Sequence, residues 1–223
     1  GAGGAGMGGA GAGSAGMGGA GTGMSGSGVM PASDPFDGTT LDARWTVLNG
    51  EAVEIVVASG ALSLRLLRTA LWFNASRGVL ISKPVTGDFV ATTTAHARKA
   101  SAPTEPPAGA VQLGGLMARA PSSGPENYVF IVVGQDVNDL SVETKSTVDS
   151  MSTYTGPSWP TGDAQLRVCR IGSIFRLYMR APGATPWELA ATFDRPDLPR
   201  TLEVGPTIYS ANTPELRVTF HEV

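Results

Sequence analysis

A single cysteine, Cys169, in a chain of 223 residues excludes an internal disulfide and leaves the redox compartment open. No apolar run reaches the ~18 residues a transmembrane helix needs. Charge is sparse: 16% of residues are Asp, Glu, Lys or Arg, and the net charge is −3. The basic footprint of a general nucleic-acid binder or of a polybasic membrane-surface protein is therefore missing. There are only two histidines, His96 and His221, and no G-x-S-x-G nucleophile elbow. No segment sustains the 3.6-residue apolar period of a helix.

What the chain has in excess, it has first. Residues 1–33 are Gly, Ala, Ser and Met with few other types, and the heptamer AGMGGAG occurs at Ala5–Gly11 and again at Ala15–Gly21. The opening GAGGAG matches the letters of a dinucleotide fingerprint, but no strand precedes it and no helix pattern follows, so no such site is expected. Two readings stand. Gly-rich chain loses much entropy on ordering and buries little, which favours a flexible tether. Alternatively the missing Cβ atoms let such segments pack side by side, with Met7, Met17 and Met24 as apolar studs, so that Gly1–Gly28 mediates self-association. The chain opens at Gly1 without an apolar secretory region, so the expectation is a signal already removed.

From Asp34 to Val223 the sequence reads as about a dozen short strands. Segments such as AVEIVVASG, YVFIVVGQ and RTLEVGPTIYS are rich in β-branched and aromatic residues, and clusters such as SSGPEN, GQDVND and APGATP break them. Alternation assigns faces. Phe175, Leu177 and Met179 oppose Arg176, Tyr178 and Arg180; Leu166 and Val168 oppose Arg167 and Cys169, and Gly172-Ser173 joins the two runs as a hairpin. In DFVATTTAHAR, Phe89, Ala91, Ala95 and Ala97 oppose Thr92, Thr94, His96 and Arg98. One apolar and one polar face per strand predicts an all-β, two-sheet antiparallel sandwich over residues 34–223.

The stretch DPFDGTTLDARWTV at Asp34–Val47 resembles the opening of concanavalin A-like jelly-roll domains. GGLMARAPSSGPENYVFIVVG with LSVETKS, and the hairpin LRVCRIGSIFRLYMRAPGATPWELA, are similar to the DUF1349-like branch of the concanavalin A-like lectin/glucanase superfamily. The resemblance covers nearly the whole domain and implies a jelly roll with one concave and one convex sheet. It also implies glycan binding on the concave face or rim loops in many members, hydrolysis in some, and, with the Gly-rich leader, a secreted or cell-surface bacterial protein. A lipidated cysteine, which precedes such linkers in anchored proteins, is absent here.

The chemistry is thin. Hydrolytic members carry Glu-x-Asp-x-x-Glu on one strand, and no Glu here is followed two residues later by Asp. Glu143, on the same strand face as Lys145, is the carboxylate to substitute first if the chain hydrolyses glycans. Cys169 alternates with arginines that would favour its thiolate, though a strand cysteine is ordinarily inert. Asp136, Asn138 and Asp139 offer hard oxygen ligands of the kind calcium takes, in a spacing that also serves a turn; Asp34, Asp37 and Asp42 offer another set. No other cofactor is indicated. For glycans, aromatic stacking with planar polar partners points to Tyr154 and Trp159 in the loop YTGPSWPTG, and to Arg119, Lys145, Arg176 and Tyr178 on polar strand faces. Trp45, Trp72 and Trp187 read as core. The expectation is a non-catalytic carbohydrate-binding module at the cell surface. The alternatives are a subunit of an extracellular assembly and a divergent glycoside hydrolase.

Overall fold

The structure, a computed structural model, describes residues 1, 3–4, 33–122 and 124–223. The chain divides into two units, Gly1–Pro31 and Ala32–Val223. The expectations for the leader, tether or self-association through Gly1–Gly28, rest on residues outside the described ones. In the second unit fourteen strands follow in order: β1 (Thr46–Leu48), β2 (Val53–Ala58), β3 (Ala61–Leu66), β4 (Val79–Thr86), β5 (Phe89–Arg98), β6 (Gln112–Arg119), β7 (Tyr128–Gln135), β8 (Leu140–Val148), β9 (Met151–Thr155), β10 (Asp163–Ile171), β11 (Ile174–Arg180), β12 (Glu188–Asp194), β13 (Thr201–Ser210) and β14 (Arg217–His221).

They form two seven-stranded antiparallel sheets. The first has the order β1-β4-β13-β6-β7-β8-β9 and the second β12-β11-β10-β5-β14-β3-β2. The local turns follow their residues. Ser59-Gly60, both at positive φ, reverse the chain between β2 and β3. Ile171 pairs with Ile174 across Gly172-Ser173, and the alternation of β10 and β11 then places Leu166, Val168, Phe175 and Leu177 inside. These meet Leu116, Ala118, Val129 and Ile131 of the first sheet in one core between the layers. The second sheet is polar on its outer face, as expected. The first is not: β6, β7 and most of β8 are buried on both faces.

The two ends of this unit close on each other. The Asp34 amide donates to the Val223 carbonyl at 2.6 Å, and the Val223 amide returns a bond to Asp34 at 3.2 Å. The buried Asp34 carboxylate accepts from the Trp45 indole N–H at 2.7 Å and the Phe36 amide at 2.9 Å, with Lys83 Nζ at 3.6 Å. Lys83 also lies over the Trp45 ring, 4.1 Å from its centroid. Asp34 is thus engaged with protein groups, and Asp42 bonds Arg44. Burial opposes ionisation of Asp34, but the Trp45 and Phe36 bonds and the Lys83 charge outweigh it and hold its carboxyl below the usual range. A depressed pKa in the folded state contributes stability above the unfolded-state pKa, and that contribution is lost as pH falls through the folded one. Asp34→Ala is expected to lose about 1–3 kcal/mol in urea unfolding at neutral pH. The deficit relative to the parent should shrink as the pH is lowered through that range.

Candidate functional site

The outer face of the first sheet is covered by the segment between β3 and β4, residues 67–78. It starts at β13, where the Ser210 amide donates to the Ala70 carbonyl at 2.8 Å. It ends against β9, where the Asn74 amide donates to Ser152 Oγ at 2.9 Å and the Ser152 amide to Asn74 Oδ1 at 3.1 Å. Between these anchors Trp72 is fully buried, edge-on to Tyr128 at 5.3 Å, in a second core with Leu80, Leu113, Met117, Phe130 and Tyr209. Its ring rests directly on Gly78, where a Cβ would come within 2.4 Å of the indole. The strap thus converts a sheet face into an interior.

Beside the strap a cavity of about 120 Å³ remains, lined by Leu71, Phe73, Asp136, Glu143, Lys145 and Tyr154 among others. Its floor is the Glu143–Lys145 pair of β8. Lys145 Nζ lies 3.1 Å from Glu143 Oε1 and donates to the Trp72 carbonyl at 2.9 Å; the Tyr209 hydroxyl donates to the same Oε1 at 3.0 Å. Four rings, those of Phe73, Phe130, Tyr154 and Tyr209, have centroids 4.9–5.5 Å from the ammonium. Burial pushes the Glu143 carboxyl up and the Lys145 ammonium down from their ordinary values. Phe73 and Tyr154, 39% and 50% exposed, stand edge to face at 6.4 Å and form the mouth. Ser141 is on the same face of β8, and its buried hydroxyl has no hydrogen-bond partner among the described residues.

Of the residues singled out in the sequence, Lys145 and Tyr154 meet here, and Asp136 lines the same cavity. Asn138 and Asp139 are exposed in the turn from β7 to β8, which the Asp136 amide closes on the Asp139 carbonyl at 2.9 Å. Among the described residues no three His, Cys, Asp or Glu side chains gather in a metal-holding group. Arg119 belongs to the same sheet face but is consumed. Glu126 takes its Nε and Nη2 at 2.7 and 2.9 Å, and Glu203 takes Nη1 at 2.6 Å. Trp159 packs against the main core and donates its indole N–H to the Asp163 carbonyl at 2.9 Å. Arg176 and Tyr178 project from β11 on the outer face of the second sheet. Trp187 corrects the expectation of a core residue: it is half-buried on that outer face, beneath Arg167 and Arg180. Burial pushes the Cys169 thiol up, against the activation its flanking arginines would give.

Phe73, the strap and the depth of Glu143 were missed in the sequence. The signal was LWFN at Leu71–Asn74, two aromatic rings in a stretch between strands with no partner nearby in the chain. A wider cleft of about 510 Å³ lies at the other end of β13. Its two buried arginines are occupied: Arg170 holds the carbonyls of Leu198, Pro199 and Gly172, and Arg195 holds Asp197.

A buried pair in which both charges are desolvated costs stability relative to an apolar filling, whereas one charge left alone costs far more. Lys145→Met is expected to destabilise by about 3–5 kcal/mol, and Glu143→Leu/Lys145→Met to recover most of that loss. Urea unfolding of the single and double variants measures both.

The sequence matches no family model and no curated protein. The fold does match solved structures. A protein of unknown function from Saccharomyces cerevisiae aligns with a TM-score of 0.66 at 16% identity, over 81% of this chain and 96% of that one. The GH43 protein BlXynB of Bacillus licheniformis aligns with a TM-score of 0.64 at 14% identity, over 86% of this chain and 38% of its own length. Lectin I-B4 of Griffonia simplicifolia, in its metal-free form, aligns with a TM-score of 0.53 at 12% identity, over 85% and 96%. At these identities the likeness concerns architecture, and the architecture is that of the concanavalin A-like jelly roll.

Proposed function

We propose that the domain is a non-catalytic carbohydrate-binding module of an extracellular or cell-surface protein, and that it takes one sugar residue of a glycan at the Phe73–Tyr154 mouth. The observation that carries the reading is the exposed aromatic pair standing over buried polar groups. A pyranose presents an apolar C–H face that stacks on such rings, and hydroxyls that reach Asp136 at the wall and the Glu143–Lys145 pair at the floor. The small cavity favours a chain end or a single protruding residue, because the strap occupies the face along which a long polysaccharide would lie. The jelly roll shared with a lectin and a GH43 protein supports the ligand class by analogy. The likeness of the GGLMARAP and LRVCRIGSIF stretches to the DUF1349-like branch supports the placement within the superfamily.

Hydrolysis is the second reading, because Asp136 and a buried Glu143 share one cavity. Against it, Glu143 Oε1 is already bound by Lys145 and Tyr209. Self-assembly through Gly1–Gly28 is the third, and deletion of that segment should then abolish particles seen by negative stain.

Tyr154 is half-exposed, so its removal spares the core. Tyr154→Ala is expected to weaken retention of the best glycan on an array about tenfold, or ~1.4 kcal/mol by calorimetry, with an unchanged melting temperature. Equal retention by parent and variant would remove the site. Release of reducing ends by the parent but not by Glu143→Gln would replace binding with hydrolysis.

A further inference from the structure

The outer face of the second sheet carries a group of cations that the pocket does not use. Arg167 of β10 and Arg180 of β11 both lie over the Trp187 indole, with Cζ atoms 4.1 and 4.2 Å from its ring. Arg167 Nε donates to Thr92 Oγ1 at 3.1 Å, and Arg180 Nε to Gln165 Oε1 at 2.6 Å. Each guanidinium is thereby fixed through its stem and its stacked plane, leaving its Nη edge without a hydrogen-bond partner among the described residues. Arg176 is exposed two residues before Tyr178 on β11. None of the three arginines makes an ion pair among the described residues. Of the acids on this face, Asp163 is already held by Arg98 and His96, each at 2.6 Å, Glu54 at the far side of the sheet is held by Arg65, and the exposed carboxylate of Asp194 in β12 stands one same-face pair beyond Arg176.

Three unpaired cations gathered on one face of a chain with net charge −3 are a local reversal of sign. Holding two of them over one indole adds mutual repulsion that an anion between them would relieve. The side-chain entropy that long arginines lose on binding is already spent by the stack and the Nε bonds. Arg176 and Arg180 stand four residues apart on one strand, roughly 13 Å, so a polymer with repeated charges engages both where a monomer engages one. Planar forks with free edges match planar carboxylates. We propose that this face is a second binding surface, for a carboxylate-bearing acidic polysaccharide lying across β10 and β11, with Arg167, Arg176 and Arg180 on its carboxylates and the exposed edge of Trp187 against a sugar ring. A nucleic acid fits less well, because a duplex carries a charge about every 1.7 Å of its axis, denser than one carboxylate per sugar residue, and three arginines on a chain of net charge −3 offset the sparser polyanion better.

Affinity electrophoresis of the full chain through gels containing polygalacturonate, neutral xylan, dextran sulfate or duplex DNA tests this. Retention by polygalacturonate is expected, decreasing as salt is raised. In Arg167→Gln/Arg180→Gln it should weaken about tenfold or more, and Arg176→Gln should weaken it by a smaller factor, both with an unchanged melting temperature. Tyr154→Ala should be retained like the parent, which separates this surface from the pocket whether or not the pocket binds sugar. No retention of the parent by polygalacturonate, equal retention of the double variant, or stronger retention by DNA or dextran sulfate would overturn the proposal.

Discussion

The central strands of the first sheet are buried on both faces, and the rest of the molecule is arranged around that constraint. One face meets the second sheet in the usual way of a sandwich. The other carries Leu113, Met117, Phe130 and Tyr209, and exposing them would leave a large hydrophobic patch on the surface. The strap of residues 67–78 removes it by laying Trp72 across the sheet, pinned by a backbone bond to β13 and by two backbone–side-chain bonds between Asn74 and Ser152 of β9. The cavity exists because the strap stops short: Phe73 turns outward where Trp72 turns inward. Its polar floor and aromatic mouth are thus products of one covering segment.

That arrangement separates polar groups that are finished from those that are not. Arg119, Arg77, Glu126 and Glu203 close a network on the same face in which carboxylates and guanidinium groups satisfy one another. Glu143 and Lys145 are also paired, but under aromatic rings, with an unpartnered Ser141 hydroxyl on the same strand face and a passage to solvent beside them. Buried ionic pairs add little net stability. Under the proposed reading, their place next to an opening serves a polar ligand.

The architecture was largely legible because its signals are local. Period-two alternation placed Leu166, Val168, Phe175 and Leu177 inside, and Gly172-Ser173 marked the reversal between β10 and β11. The site was legible only in part, because burial from a distant segment leaves no trace in alternation. Glu143 and Lys145 occupy polar positions of β8 and read as solvent-facing; the strap that buries them comes from some 70 residues earlier. Arg119 looked available for the same reason, its partners lying at Glu126 and at the remote Glu203. The tryptophans depended on single contacts that no pattern encodes. Trp159 turned its N–H to a carbonyl four residues on, and Trp187, adjacent to an edge strand, found two arginines instead of the interior.

If the strap is part of a second core, it opens only when the sheet beneath it unfolds. Native-state hydrogen exchange measures this at the amides of Asn74, Ser152 and Ser210, which hold its two ends. The account predicts exchange as slow as that of β6 and β7, with the same dependence on denaturant. Exchange at the rate of a surface loop, while β6 and β7 stay protected, would mean that the outer face is only loosely covered and that the pocket has no fixed floor.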